Sequence, residues 1–99
     1  MKIVFTPEGD RQATDKDRWW RENRPASPDL FSDELADILG LIARTPNAGA
    51  RYETVSGKAA RRVLMPRTKN HVYFEVDETH ERIIVHAVWG TPRGRGPDL

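Results

Sequence analysis

The chain has 99 residues, of which 16 are Lys or Arg, 15 are Asp or Glu and none is Cys. This length is typical of one domain, because two smaller domains would each lack an adequate core. The absence of cysteine excludes a disulfide scaffold, a thiolate metal site and a cysteine nucleophile, and it favours a reducing cytosol.

The composition and the charge distribution both indicate a partner. Hydrophobic residues make up 37% of the chain, below the usual ~45–50%, which suggests that another chain completes some of the apolar surface. Residues 1–50 carry seven basic and nine acidic side chains, whereas residues 51–99 carry nine basic and six acidic ones. The stretch from Thr54 to Phe74 has five basic residues and no acid, a pattern typical of surfaces that bind phosphates or acidic protein segments. A solvated basic face is the alternative interpretation.

The first half of the sequence predicts a strand and two helices. Residues 2–6 contain a short apolar run that predicts a strand, and residues 10–23 contain neither Pro nor Gly and predict a helix. A second helix is predicted over residues 28–44, because Phe31, Leu35, Ile38 and Ile42 recur at helical spacing. A proline-bearing link joins the two helices, so we expect a helical hairpin with an apolar side to bury.

The second half predicts an antiparallel β-meander. Its three strands cover residues 61–66, 71–77 and 82–89, and the middle strand alternates apolar and polar side chains. The first strand can join this sheet at one edge, and residues 90–99 are predicted to form a basic tail rich in Gly and Pro. The predicted fold is therefore one α+β domain over residues 1–99, with an N-terminal strand and a helical hairpin packed on a C-terminal meander.

Catalytic and metal-binding signatures are scarce. The three histidines lack ligand spacing, so we expect neither a metal nor a cofactor, and no 18-residue apolar run predicts a membrane span. Four residues on or after the predicted strands have the chemistry for metal-free RNA cleavage, which needs a base, an acid and cations for the phosphate: Arg62, His71, Tyr73 and Arg93. Alternatively, the arginines contact an acidic partner and Tyr73 packs at the sheet edge.

Several segments in this order resemble the RelE/ParE superfamily of bacterial type II toxins. The strongest are a strand that begins with arginines, a strand with the sequence His-Val-Tyr-Phe, and a Val-Trp-Gly segment at the end of the last strand. The likeness covers nearly the whole chain. The segments are Trp19–Pro25, Asp29–Phe31, Ala60–Leu64, Pro66–Thr68, His71–Asp77, Val88–Gly90 and Arg93–Pro97. The resemblance implies a RelE/ParE toxin-like fold and a cytoplasmic bacterial toxin that forms a hetero-oligomer with a cognate antitoxin, with Arg61, Arg62 and Tyr73 as expected antitoxin contacts.

The superfamily divides into two functional branches. RelE-like members are ribosome-dependent mRNA endonucleases, and for that branch Arg62 and Arg93 match two of the expected cations. His71 stands where the branch has an arginine, and no tyrosine follows Tyr73. ParE-like members inhibit DNA gyrase by direct binding, without a catalytic set.

The ParE-like branch is favoured here. The short basic tail after the last predicted strand is typical of that branch, and we expect Trp89, Arg93 and Arg95 to contact the target. The alternatives are the mRNA endonuclease and a non-toxic binding module or degenerate toxin.

Overall fold

One strand and two helices precede four further strands along the chain. This computed structural model describes residues 1–91 and 96–99. The elements are β1 (Lys2–Phe5), α1 (Pro7–Asn23), α2 (Leu30–Arg44), β2 (Ala50–Glu53), β3 (Ala59–Met65), β4 (Asn70–Asp77) and β5 (Arg82–Gly90). Within these described residues, no helix combines the length and apolarity needed to cross a lipid bilayer.

The strands form one sheet in the order β1-β5-β4-β3-β2. Strands β2 to β5 pair antiparallel with their neighbours, and β1 adds to the β5 edge in parallel orientation. The α+β class and the helical hairpin on an antiparallel meander are confirmed.

The limits of several elements differ from the sequence prediction. Helix α1 begins at Pro7 rather than residue 10, because the Thr6 side chain caps it by accepting a hydrogen bond from the Gly9 amide at 3.0 Å. Helix α2 begins at Leu30 rather than residue 28, since the amides of Ser27 and Leu30 are used in turns.

Strand β2 was not predicted, and the tail prediction is only partly right. Of the four residues of β2, only Tyr52 is typical of strands. The predicted basic tail began at Gly90, which instead ends β5. Residues 96–99 return to β2, where the Tyr52 hydroxyl donates to the Pro97 carbonyl at 2.7 Å.

The hydrophobic core lies between the helices and one face of the sheet. Phe31 and Ile42 of α2 are buried against apolar side chains of the three central strands, each contributing about 1.5–3 kcal/mol through burial. The strand residues of this core are Val63, Met65, Val72, Phe74, Ile83, Val85 and Val88.

Helix α1 packs closely on β5. A Cβ at Gly9 would lie 2.6 Å from the Val85 carbonyl oxygen, so only glycine permits this approach. Gln12 accepts a hydrogen bond from the Val88 amide at 2.9 Å. That bond lies beside a bulge, where Tyr73 pairs with Ala87 but the next residue of β4 pairs with Val85.

A buried carboxylate joins α2 to the turn between β3 and β4. Glu34 is only 6% exposed. Its oxygens accept hydrogen bonds from the Arg67 amide at 2.8 Å, the Thr68 amide at 3.0 Å and the Thr68 hydroxyl at 2.8 Å. Three donors satisfy a charge that would otherwise be costly to bury.

We therefore predict that Glu34→Ala lowers the free energy of unfolding by roughly 2–5 kcal/mol, because it leaves three donors of the turn without an acceptor. Urea denaturation of both proteins measures the difference. Asp37→Ala, an exposed change on the same helix, is the control and should stay within about 0.5 kcal/mol of the unaltered protein. Equal effects of the two substitutions would contradict the structural role of Glu34.

Candidate functional site

The sheet face opposite the helices gathers most of the predicted site residues, and we call it the open face. Arg62 of β3 pairs with Tyr73 of β4, and His71 of β4 pairs with Trp89 of β5. Because side chains alternate along a strand, the apolar neighbours of these residues point into the core and the predicted residues point outward. Tyr52 of β2 joins them through its ring contact with Tyr73.

Aromatic and cationic groups are in contact at the centre of the open face. The Tyr52 and Tyr73 rings meet edge to face, with centroids 4.7 Å apart. Arg62 Nη1 donates to the Tyr73 hydroxyl at 3.5 Å, and Arg62 Cζ lies 6.0 Å from the Tyr52 ring centroid. The His71 ring is 6.0 Å from that of Tyr73. We call these four residues the open-face cluster.

The environment of the open-face cluster alters two of its acid–base groups. Burial lowers the pKa of the His71 imidazole, and the positive charge of Arg62 lowers it further. His71 is therefore neutral near pH 7 and has a nitrogen lone pair that can accept a proton. Burial raises the pKa of the Tyr52 phenol, with further contributions from Tyr73 and Asp98, so this hydroxyl keeps its proton.

The C-terminal segment, residues 96–99, packs against the open face. Tyr52 holds the Pro97 carbonyl, and the Ser56 amide donates to the Leu99 carbonyl at 3.2 Å. Pro97 is buried, and Tyr73 is only 1% exposed. The Tyr73 hydroxyl is therefore enclosed by the protein's own chain.

The structure separates the three residues expected to bind an antitoxin. Arg62 and Tyr73 are adjacent on the open face, but Arg61 points to the helix side. There its guanidinium donates to the carbonyls of Asn47, Ala48 and Gly49 at 2.8–3.0 Å. Arg61 thus holds the loop between α2 and β2, and the enclosed Tyr73 presents almost no surface to a partner.

The residues expected to bind the target lie at and beyond the end of β5. Trp89 is half-buried beside His71 on the open face. Arg93 and Arg95 lie outside the described residues. Arg93 was also the fourth candidate for RNA cleavage, so the structure brings together three members of that set.

Two features of the open face were not predicted from the sequence: the position of Tyr52 and the contact between His86 and Glu75. Tyr52 was missed because β2 lacks a strand pattern. His86 Nε2 lies 3.1 Å from Glu75 Oε1, and this pairing depends on the bulge in β5, which no local pattern indicates. The alternation of polar and apolar residues along β4 was the available signal for Glu75.

We predict that Arg62→Gln raises the pKa of His71, because it removes the positive charge that disfavours the imidazolium ion. An NMR titration of the His71 ring protons measures the change. Arg51→Gln, an exposed change on the neighbouring strand β2, is the control and should leave the titration unchanged. An unaltered His71 titration in Arg62→Gln would show that the two groups are not coupled.

Comparisons with known proteins reveal a shared fold. No family model matches the chain, and no curated protein matches it. Among solved structures, the YoeB/ParE toxin from Agrobacterium tumefaciens superposes with a TM-score of 0.61 at 16% sequence identity, covering 91% of this chain and 98% of that one. At this level of identity the likeness concerns the fold, and this chain has the fold of that toxin.

Proposed function

We propose that this protein is the toxin of a bacterial type II toxin–antitoxin system, acts in the cytoplasm and is neutralised by a cognate antitoxin. Two independent features support the proposal. The order of motifs along the sequence resembles the RelE/ParE superfamily, and the fold is that of a YoeB/ParE toxin over nine-tenths of the chain. Arg62, a basic residue of the stretch from Thr54 to Phe74 that lies half-buried on the open face, offers positive charge to an acidic antitoxin segment.

The proposed mode of action is ParE-like, by direct binding to DNA gyrase. The observation that carries this choice is the burial of Tyr73, which is 1% exposed and lies against Tyr52, the residue that holds the C-terminal segment. An RNA phosphate would need access to that hydroxyl, whereas a protein that acts by binding needs only its outer surface. Trp89, Arg93 and Arg95 are the proposed target contacts, since Trp and Arg often dominate the binding energy of interfaces.

A RelE-like mRNA endonuclease is the second candidate, and the presence of His71 within the electrostatic influence of Arg62 favours it. A neutral His71 has the protonation state of a general base for the attacking 2′-hydroxyl. Arg62 supplies positive charge for the phosphate in the transition state, with Arg93 as the second proposed cation. In this mechanism Tyr52, with the C-terminal segment bonded to it, must move away before Tyr73 can contact RNA.

We propose that the antitoxin contacts the open face at Arg62. This side chain is half-buried and contacts Tyr73. Arg61 would first have to release three loop carbonyls, and Tyr73 would have to be uncovered. Of the three residues expected at this interface, Arg62 therefore needs the least rearrangement.

Induced expression in a bacterial host tests the two modes. We predict filamentation and a DNA-damage response with intact translation. Replacing both Arg93 and Arg95 by Gln should abolish growth inhibition, because the protein then has neither guanidinium with which to bind its target, whereas Arg51→Gln should not. Co-expressing the product of a neighbouring antitoxin gene should restore growth.

The variant His71→Gln separates the candidates. Under the binding mode it still inhibits growth, whereas an endonuclease would lose roughly 10²–10⁴-fold of its RNA cleavage with its base. Fragmented mRNA that disappears in His71→Gln would replace the first candidate by the second. Unimpaired growth with every form of the protein would contradict both.

A further inference from the structure

A second surface with distinct chemistry lies at the C-terminal half of α1. It is a groove of about 670 Å³ between α1, the turn joining β3 to β4, and the end of β5. We call it the tryptophan groove, and its aromatic and basic lining residues are Lys16, Trp19, Trp20, Arg24, Arg67 and Lys69. It shares no residue with the open-face cluster.

An exposed indole forms one wall of the tryptophan groove. Trp19 has 46% of its surface exposed, whereas Trp20, 5.7 Å away between ring centroids, packs against the core. Arg24 Cζ lies 5.0 Å from the Trp19 ring centroid and 5.9 Å from that of Trp20. Trp20 anchors α1 to the core, whereas much of the Trp19 ring is in contact with water. Exposing so large an apolar surface to water is unfavourable, and a bound partner would remove that cost.

Positive charge dominates the other walls. Asp15 lines the groove, but its carboxylate is paired with Arg11 at 3.1 Å and Arg18 at 3.4 Å. Arg67 and Lys69 are exposed on the β3–β4 turn, and within residues 1–91 and 96–99 neither side chain forms an ion pair. The positive charge of these two side chains is therefore open to solvent and is not neutralised by an acid of the described residues.

The turn that carries these two cations is rigidly placed. Glu34 accepts the amide hydrogens of Arg67 and Thr68. Lys69 has a φ of +62°, a left-handed conformation held by backbone hydrogen bonds from its amide to Met65 and to its carbonyl from Thr91. A fixed backbone keeps the attachment points of these two side chains beside the indole, so less backbone order must be gained on binding.

We propose that the tryptophan groove binds single-stranded nucleic acid. A base stacks on the Trp19 indole beside the Arg24 guanidinium, and Arg67 and Lys69 contact the flanking phosphates. Stacking on aromatic and guanidinium planes together with a cationic track is how proteins hold unpaired strands. An acidic peptide would use the cations but would leave the face of Trp19 without a matching planar partner. The proposal does not depend on the toxin's target.

Fluorescence anisotropy of labelled decamers of deoxythymidylate and of uridylate tests the proposal on the full chain at low salt. Saturable binding is expected. Trp19→Ala should weaken it by about fivefold or more, because one base loses its stacking surface, and Trp19→Phe should restore most of the affinity. Replacing Arg67 and Lys69 by Gln should reduce the slope of log affinity against log salt by about 0.7 for each phosphate that the variant no longer neutralises.

Arg51→Gln is the matched control, since it removes an exposed positive charge outside the groove, and far-UV circular dichroism verifies that each variant is folded. The proposal is overturned if no saturable binding occurs, or if Trp19→Ala binds as tightly as the unaltered protein. It is also overturned if a labelled deca-glutamate peptide loses as much affinity in Trp19→Ala as the oligonucleotides do, a result that would assign the groove to an acidic protein segment. A preference between the two decamers identifies the class of nucleic acid.

Discussion

The buried Glu34 carboxylate is the interaction on which both surfaces of this protein depend. From α2, this carboxylate accepts hydrogen bonds from the amides of Arg67 and Thr68 and from the Thr68 hydroxyl. The Thr68 hydroxyl also accepts a hydrogen bond from Asn70 Nδ2 at 3.1 Å. This connection fixes the turn at which β4 reverses along β3. The register set there places Arg62 opposite Tyr73 on one side of the sheet, and it places the Arg67 and Lys69 side chains beside α1 on the other.

The open face combines reactive chemistry with restricted access. His71 is kept neutral by burial and by Arg62, and a neutral imidazole next to a guanidinium is suited to RNA cleavage. However, the neighbouring Tyr73 side chain is buried, with the ring of Tyr52 against it, and Tyr52 is in turn bonded to the C-terminal segment. A buried hydroxyl cannot contact a substrate unless the residues around it rearrange. For this reason we favour a toxin that acts by binding over one that cleaves RNA.

Local patterns predicted much of the fold but only part of the site. The helical spacing of Phe31 and Ile42 and the alternation along β4 were sufficient to identify the residues that face the core, although Tyr73 on the opposite face of β4 is buried as well. Glu34 lies within the apolar side of α2, and a carboxylate at such a position was the signal that was missed. The hydrogen bond between Tyr52 and Pro97 joins residues that are 45 positions apart in the sequence. The contacts of Arg61 with backbone carbonyls depend on the path of the loop between α2 and β2. No local pattern encodes such long-range contacts.

Direct assay with purified components tests the central claim, that this protein is a toxin which acts by binding rather than by cleaving RNA. The protein is added to DNA gyrase with plasmid, and separately to ribosomes translating a defined mRNA. We predict that supercoiling is inhibited, with accumulation of cleaved plasmid, and that the mRNA remains intact. Unimpaired supercoiling together with fragmented mRNA would contradict that claim.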